Sequence, residues 1–101
     1  MEWLPVAVRL NEGVTRGRFI TLEGGEGVGK STQARLLAQA LEERGIETVL
    51  TREPGGSQGA EAIRGLLLTG EADRWTVQAE ALLFAAARAD HVAQTILPAV
   101  E

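Results

Sequence analysis

The sequence predicts an α/β fold, a parallel sheet with flanking helices, on three observations. Phe19-Ile20-Thr21-Leu22-Glu23 is a short, apolar and β-branched run that feeds straight into a glycine-rich stretch, the pattern of a buried strand entering a loop. Behind that loop Ala34, Leu37, Ala38 and Leu41 recur at helical spacing, and Gly45 is placed to stop the helix. Ile46 to Thr51 then reads as a second strand. Strand, helix and strand within about thirty residues make one βαβ unit, whose strands should lie parallel with a right-handed crossover.

The remaining elements follow in order. Before the unit, Leu4, Val6, Val8 and Leu10 alternate like a strand face, but Pro5 counts against a strand, and Asn11-Glu12-Gly13 reads as a turn. Residues 1–17 are therefore set apart as an extension of unknown role, with a mis-assigned upstream start as one explanation. After the unit, Arg52-Glu53-Pro54-Gly55-Gly56 breaks all periodicity. Ser57 is the expected N-cap of a helix running through Leu68 and carrying Ile63, Leu66 and Leu67. Gly70 to Arg74 is a polar connection, and Thr76 caps a long helix reaching about Leu97, before Pro98. No internal repeat or low-complexity tract is present.

Composition narrows the function classes. A chain of 101 residues, 45% hydrophobic and 24% charged, supports one small domain or a piece of a larger one. A formal charge of −4 argues against a general nucleic-acid binder, so any phosphate site must be built locally. Cysteine is absent, which excludes disulfides and cysteine-ligated zinc. No apolar run approaches the roughly 20 residues needed to span a bilayer. Met1 to Leu10 lacks the basic start and long apolar core of a signal peptide. No membrane contact and a cytoplasmic location are the expectations.

Gly24-Gly25-Glu26-Gly27-Val28-Gly29-Lys30-Ser31 matches G-x-x-x-x-G-K-[ST] in full. The glycines let the backbone curl so that successive N–H groups face phosphate oxygens, and the next helix adds its N-terminal dipole. Lys30 is expected to reach the β- and γ-phosphates and the Ser31 hydroxyl to ligate Mg²⁺. A chance match is expected in roughly a few chains per thousand of this size. The strand before and the helix after make the motif a P-loop. By itself it says nucleotide binding, not which reaction.

Two further features point to a second ligand. Thr51 to Gly56 sits at the C-terminal end of the second strand, the edge where open parallel sheets bind ligands. Half of the 12 glycines fall in the two loops at that edge, which suggests backbone close to a ligand at both, or a tight turn into a helix at the second. Phe84 and Arg88 stand at i, i+4 and so share one helix face. A ring there can stack on a base while the guanidinium donates to carbonyl or phosphate oxygens. The plainer reading is core for Phe84 and a solvated charge for Arg88. His91 is read as surface-exposed or structural, with no catalytic part.

The strings Phe19 to Gly24, the P-loop with Glu26, Thr51 to Gly56, Ala62-Ile63-Arg64 with Leu66-Leu67-Leu68, and Glu80 to Arg88 together resemble bacterial thymidylate kinases in order and spacing. The resemblance runs from about Arg18 to Glu101. It implies a P-loop NTPase of the nucleoside-monophosphate-kinase type, truncated after the third helix, with 18–101 as the N-terminal part of the kinase domain. It implies ATP-dependent phosphorylation of dTMP to dTDP with Mg²⁺, and a homodimer in the full-length protein. The ATP-binding set would be Gly24, Gly25, Glu26, Gly27, Val28, Gly29, Lys30, Ser31 and Thr32, with Lys30 and Glu26 catalytic and Ser31 on the metal. The acceptor set would be Glu26, facing the deoxyribose 3′-hydroxyl, Glu53 and Pro54 lining the pocket, Arg64 on the acceptor phosphate, Phe84 stacked on thymine and Arg88 reading its carbonyl edge.

Two departures are informative. Some family members carry an arginine inside the P-loop, whereas Glu26-Gly27-Val28 supplies no cation here, as in the subtype whose catalytic arginine comes from a mobile lid. Ala87 stands where the family often has Asp, which removes a salt bridge but leaves Arg88. In the family another core strand ending in Asp-Arg, and then the lid, follow the position of Glu101. The 101-residue chain is therefore expected to show little or no kinase activity alone, and its βαβ unit to be marginally stable or aggregation-prone without neighbouring strands. The rival reading is a nucleotide-binding fragment without chemistry, or half of a split P-loop kinase.

Overall fold

In the computed structural model, which describes residues 2–9 by their backbone and residues 17–25 and 27–101 in full, the first element is β1 (Glu2–Arg9). It is followed by β2 (Arg18–Gly24), α1 (Lys30–Glu43) and β3 (Glu47–Leu50). Then come α2 (Gln58–Leu68), α3 (Val77–His91), a π-helical turn at Val92–Ile96 and α4 (Leu97–Val100). Leu10, the turn expected at 11–13 and Glu26 lie outside the described residues.

The sheet corrects one expectation. Its order is β2-β1-β3, and both pairings are antiparallel. Since each runs opposite to β1, β2 and β3 run parallel to each other, as a βαβ unit requires, but β1 lies between them. The physical reason is backbone satisfaction: two parallel strands one position apart leave facing rows of N–H and C=O groups, which a third strand fills. Pro5 fits because it pairs opposite Thr21 of β2, in the half of β1 that precedes its pairing with β3. Its missing N–H therefore leaves the β1–β3 ladder intact.

α1 ends as its sequence demands. Gly45 takes φ 78° and donates its N–H to Glu42 O, while Ile46 donates to Leu41 O. This is a Schellman ending, and it brings Ile46 back beside Leu41. Both pack with Ile20 and Leu22 of β2 around Ala34, which is fully buried. That cluster fixes α1 against the sheet and so aims its first turn at the end of β2.

α2 and α3 pack on each other, and each begins at the cap its sequence advertises. Ser57 Oγ accepts from Ala60 N at 3.2 Å, and Thr76 Oγ1 accepts from Ala79 N at 3.1 Å. The long third helix is interrupted near its end. Pro98 has no N–H to return to the preceding turn, and the backbone widens just before it, with Leu97 N bonded to Val92 O. The core is thin. His91 is the largest completely buried side chain among the described residues, and Phe19, Leu68, Val77 and Leu82 are exposed. Among the described residues no helix is long and apolar enough to cross a membrane.

Candidate nucleotide-binding site

The first half of the site is the turn between β2 and α1. Gly27 and Gly29 hold φ of 75° and 92°, a region where a side chain would be strained. Gly29 is the N-cap of α1 and provides no side-chain cap, so the first N–H groups of the helix stay available to an outside acceptor. Lys30, the first helical residue, turns back over the loop and donates to the carbonyls of Gly24 and, at 3.2 Å, Gly25. Its charge is thereby held at the mouth of the turn. Ser31 and Thr32 are exposed on the same helix end. A helix N-terminus with uncapped N–H groups and an ammonium beside it make this turn a candidate anion cradle.

The second half is the segment after β3, and it is clamped onto α3 by polar contacts. Glu53 is 6% exposed and bonds twice. Its Oε1 accepts from Arg88 Nε at 2.7 Å and its Oε2 from His91 Nδ1 at 2.6 Å. The opposite ring nitrogen of His91 meets Thr51 Oγ1 at 2.7 Å. Arg64 of α2 donates to Pro54 O at 2.8 Å, and Thr95 in the π-turn donates to Gly56 O. Ser57, while capping α2, donates to Asp90 Oδ2. Five hydrogen bonds thus tie the segment to α3 and the π-turn, each between residues more than thirty positions apart.

The glycines of this loop serve the clamp. A Cβ on Gly56, whose φ is 87°, would fall 2.2 Å from His91 Nε2 and 2.3 Å from Thr51 Oγ1. One on Gly55 would fall 2.8 Å from Glu61 Oε1. Close approach is real at Gly55 and Gly56, but the neighbours that demand it are the protein's own side chains. At the loop's outer edge Arg52 grips Glu61 with two bonds, at 3.0 and 2.8 Å. That guanidinium, more than any other neighbour, holds the Glu61 carboxyl below its ordinary pKa.

A cavity of about 500 Å³ joins the two halves. Ser31, Ala34 and Arg35 of α1 line one side, and Thr51, Arg52 and Gly56 line the other. The helix end that follows the P-loop and the second loop thus face one opening.

Comparison with known proteins bears on what such a site serves. The family model described as thymidylate kinase matches residues 22–101. A thymidylate kinase of Rhizorhabdus wittichii is 78% identical over 85 residues, 84% of this chain and 41% of the relative. One from a Bradyrhizobium species is 59% identical over 93 residues, 92% of this chain and 41% of the relative. A third, from Ruegeria pomeroyi, is 61% identical over 84 residues, 83% of this chain and 40% of the relative. The chain belongs to the thymidylate kinase family. It spans about two fifths of the length of these curated relatives.

Membership brings the P-loop NTPase fold with it, and the site can be set beside the thymidylate kinase pattern residue by residue. Gly24, Gly25, Gly27, Val28, Gly29, Lys30, Ser31 and Thr32 lie together at the end of β2, in the turn and at the start of α1, while Glu26 lies outside the described residues. Glu53, Pro54, Arg64 and Arg88 are brought into one cluster. Phe84 stands one turn before Arg88 and is 43% exposed. Arg64, Phe84 and Arg88 do not line the cavity that Ser31 lines. Ala87 is 1% exposed, so a carboxylate there would be buried, and Arg88 finds its partner in Glu53 instead.

Of the two readings of His91, surface-exposed or structural, the second holds: it is completely buried and pins the clamp. The signal was available: Phe84, Arg88 and His91 fall at i, i+4 and i+7, which puts the imidazole on the same face as the two residues already singled out. Thr51, Asp90 and Thr95 carried no comparable signal, because their partners lie far along the chain.

Proposed function

We propose that the chain is the N-terminal part, residues 18–101, of a kinase that transfers the γ-phosphoryl group of ATP to dTMP. The observation that supports this reading is a cavity lined by Ser31, which follows the P-loop lysine, and by Thr51, Arg52 and Gly56 of the second loop, in a chain of the thymidylate kinase family.

An acceptor phosphate oxygen attacks the γ-phosphorus in line, the bond to the β–γ bridging oxygen breaks, and ADP leaves without a covalent enzyme intermediate. The P-loop N–H groups and Lys30 hold the ATP phosphates, and their positive field favours the charge that develops on the γ-oxygens. The cradle fits a magnesium nucleotide. Ser31 offers an exposed hydroxyl beside it, a donor that a hard, oxygen-seeking cation could use. Ser31 is the residue that would hold a magnesium ion, and such an ion would supply positive charge to offset that of the phosphates. Arg64 and Arg88 hold the acceptor through its phosphate and base edge, with Phe84 stacked on thymine and Glu26 at the 3′-hydroxyl. The longer protein is a cytoplasmic homodimer in this reading, and the 101-residue chain binds nucleotides with little turnover of its own.

Calorimetric titration of the purified chain tests the reading, with ATP-Mg²⁺ and then dTMP, dUMP, dCMP and AMP in competition. Saturable dTMP binding ahead of the others is expected. A preference for AMP, or no monophosphate binding at all, would overturn it.

A further inference from the structure

The buried imidazole of His91 has no part in the reaction just described, yet it is the most enclosed polar side chain in the described residues. Burying an imidazole costs free energy unless both nitrogens are satisfied, and both are. Nδ1 is 2.6 Å from Glu53 Oε2 and Nε2 is 2.7 Å from Thr51 Oγ1. An ionised carboxylate only accepts, so Nδ1 carries the proton toward Glu53, and in the neutral ring Nε2 then accepts from the Thr51 hydroxyl. The other oxygen of Glu53 takes Arg88 Nε at 2.7 Å. A single carboxylate therefore links the buried ring to a guanidinium whose side chain is 56% exposed.

The geometry points to His91 as the positioning residue of the acceptor site. It fixes the Glu53 carboxylate from behind, and Glu53 in turn sets the angle at which Arg88 is presented. Its contact with Thr51 and the loop backbone at Gly56 holds the 51–56 segment in register with α3. The role rests on the reading of Arg88 and its neighbours as the dTMP-binding side. Having no exposed surface, His91 acts through Glu53 and touches neither nucleotide. The inference has a direct consequence: a change at His91 should weaken the acceptor and leave ATP alone, because the P-loop shares none of these bonds.

Two measurements on the 101-residue chain test it. The chain has a single histidine, so its ring resonances are assigned without ambiguity. Saturating wild-type chain with dTMP should shift the His91 ring signals, while ATP-Mg²⁺ should not. In parallel, His91→Ala should weaken dTMP binding by about tenfold while ATP affinity stays within about twofold, since one buried hydrogen-bonding hub is lost. His91→Asn, whose amide reaches the Nδ1 position, should restore dTMP binding better than His91→Gln, which reaches the Nε2 position. If the wild-type chain binds no dTMP, the functional reading fails first. If it binds dTMP with unmoved His91 signals, or His91→Ala binds as wild type or loses both nucleotides equally, the positioning role is overturned. Should His91→Ala not fold, the ring signals of the wild-type chain decide alone.

Discussion

Gly56 lies directly against His91: a Cβ on the glycine would sit 2.2 Å from the imidazole Nε2. The loop can close on α3 only because position 56 has no side chain, and its φ of 87° requires the same.

Gly56→Ala should therefore be destabilising on both counts. Left-handed backbone costs an L-residue roughly 1–2 kcal/mol, and overpacking adds about 1–3 kcal/mol. A melting temperature lower by about 10 °C or more is expected for a chain of this size. Gly65 is the internal control. It lies within α2 with nothing within 4 Å of its would-be Cβ, so Gly65→Ala should raise stability by about 0.5–1 kcal/mol. Parallel thermal melts by circular dichroism compare the two, and equal effects would contradict the clamp.

Lys30 should matter to ligand and little to fold. Its ammonium bonds to the loop carbonyls of Gly24 and Gly25 and to no core group. Lys30→Ala is expected to abolish measurable ATP-Mg²⁺ binding in calorimetry, with a melting temperature changed by only a few degrees. ATP affinity within about threefold of wild type, a loss under 1 kcal/mol, would count against the cradle.

The Arg52–Glu61 pair gives a small acid-side dependence. Arg52 holds Glu61 below its unfolded value near 4.5, so the unfolded chain binds the proton more readily. Stability from the pair is full above pH 4.5 and is lost as pH falls through the lower, folded value. Both side chains are nearly half exposed, at 48% and 41%, so water and salt screen the pair to below about 1 kcal/mol. Denaturant midpoints measured across this range should fall less steeply with acid in Glu61→Gln than in wild type.

Ser57 and Thr76 offer matched caps with unequal surroundings. Each accepts one helix N–H, and Ser57 also donates to Asp90. Thr76→Ala should cost about 1 kcal/mol, the ordinary loss of a cap. Ser57→Ala should cost more, because a partly buried carboxylate also loses its donor. Urea midpoints on the two variants compare the costs, and the reverse order would remove Asp90 from the clamp.

Much of the fold was legible because its signals are local. Ser57 and Thr76 announced α2 and α3, Gly45 announced the end of α1, and Gly27 and Gly29 announced the curl of the P-loop. The alternation at Leu4, Val6 and Val8 was a true strand signal, and Pro5 was weighed too heavily against it. A proline is excluded only where a ladder needs its N–H. Whether β1 has one neighbour or two at Pro5 depends on where β3 ends, which no short window contains. The parallel sheet expected from strand, helix and strand gave way for the same reason, since spacing orders elements along the chain but does not say which strand fills the gap between two others.

The sequence by itself determined the P-loop, the helix caps and the family, because each is encoded within a few consecutive residues or in their order. Only the tertiary structure decided what Glu53, Arg88 and His91 are to one another. Glu53 and His91 are 38 residues apart and meet through burial, where the cost of leaving either group unpaired selects the contact. The register of a helix against a loop comes from packing the whole chain, and no periodicity within either segment records it.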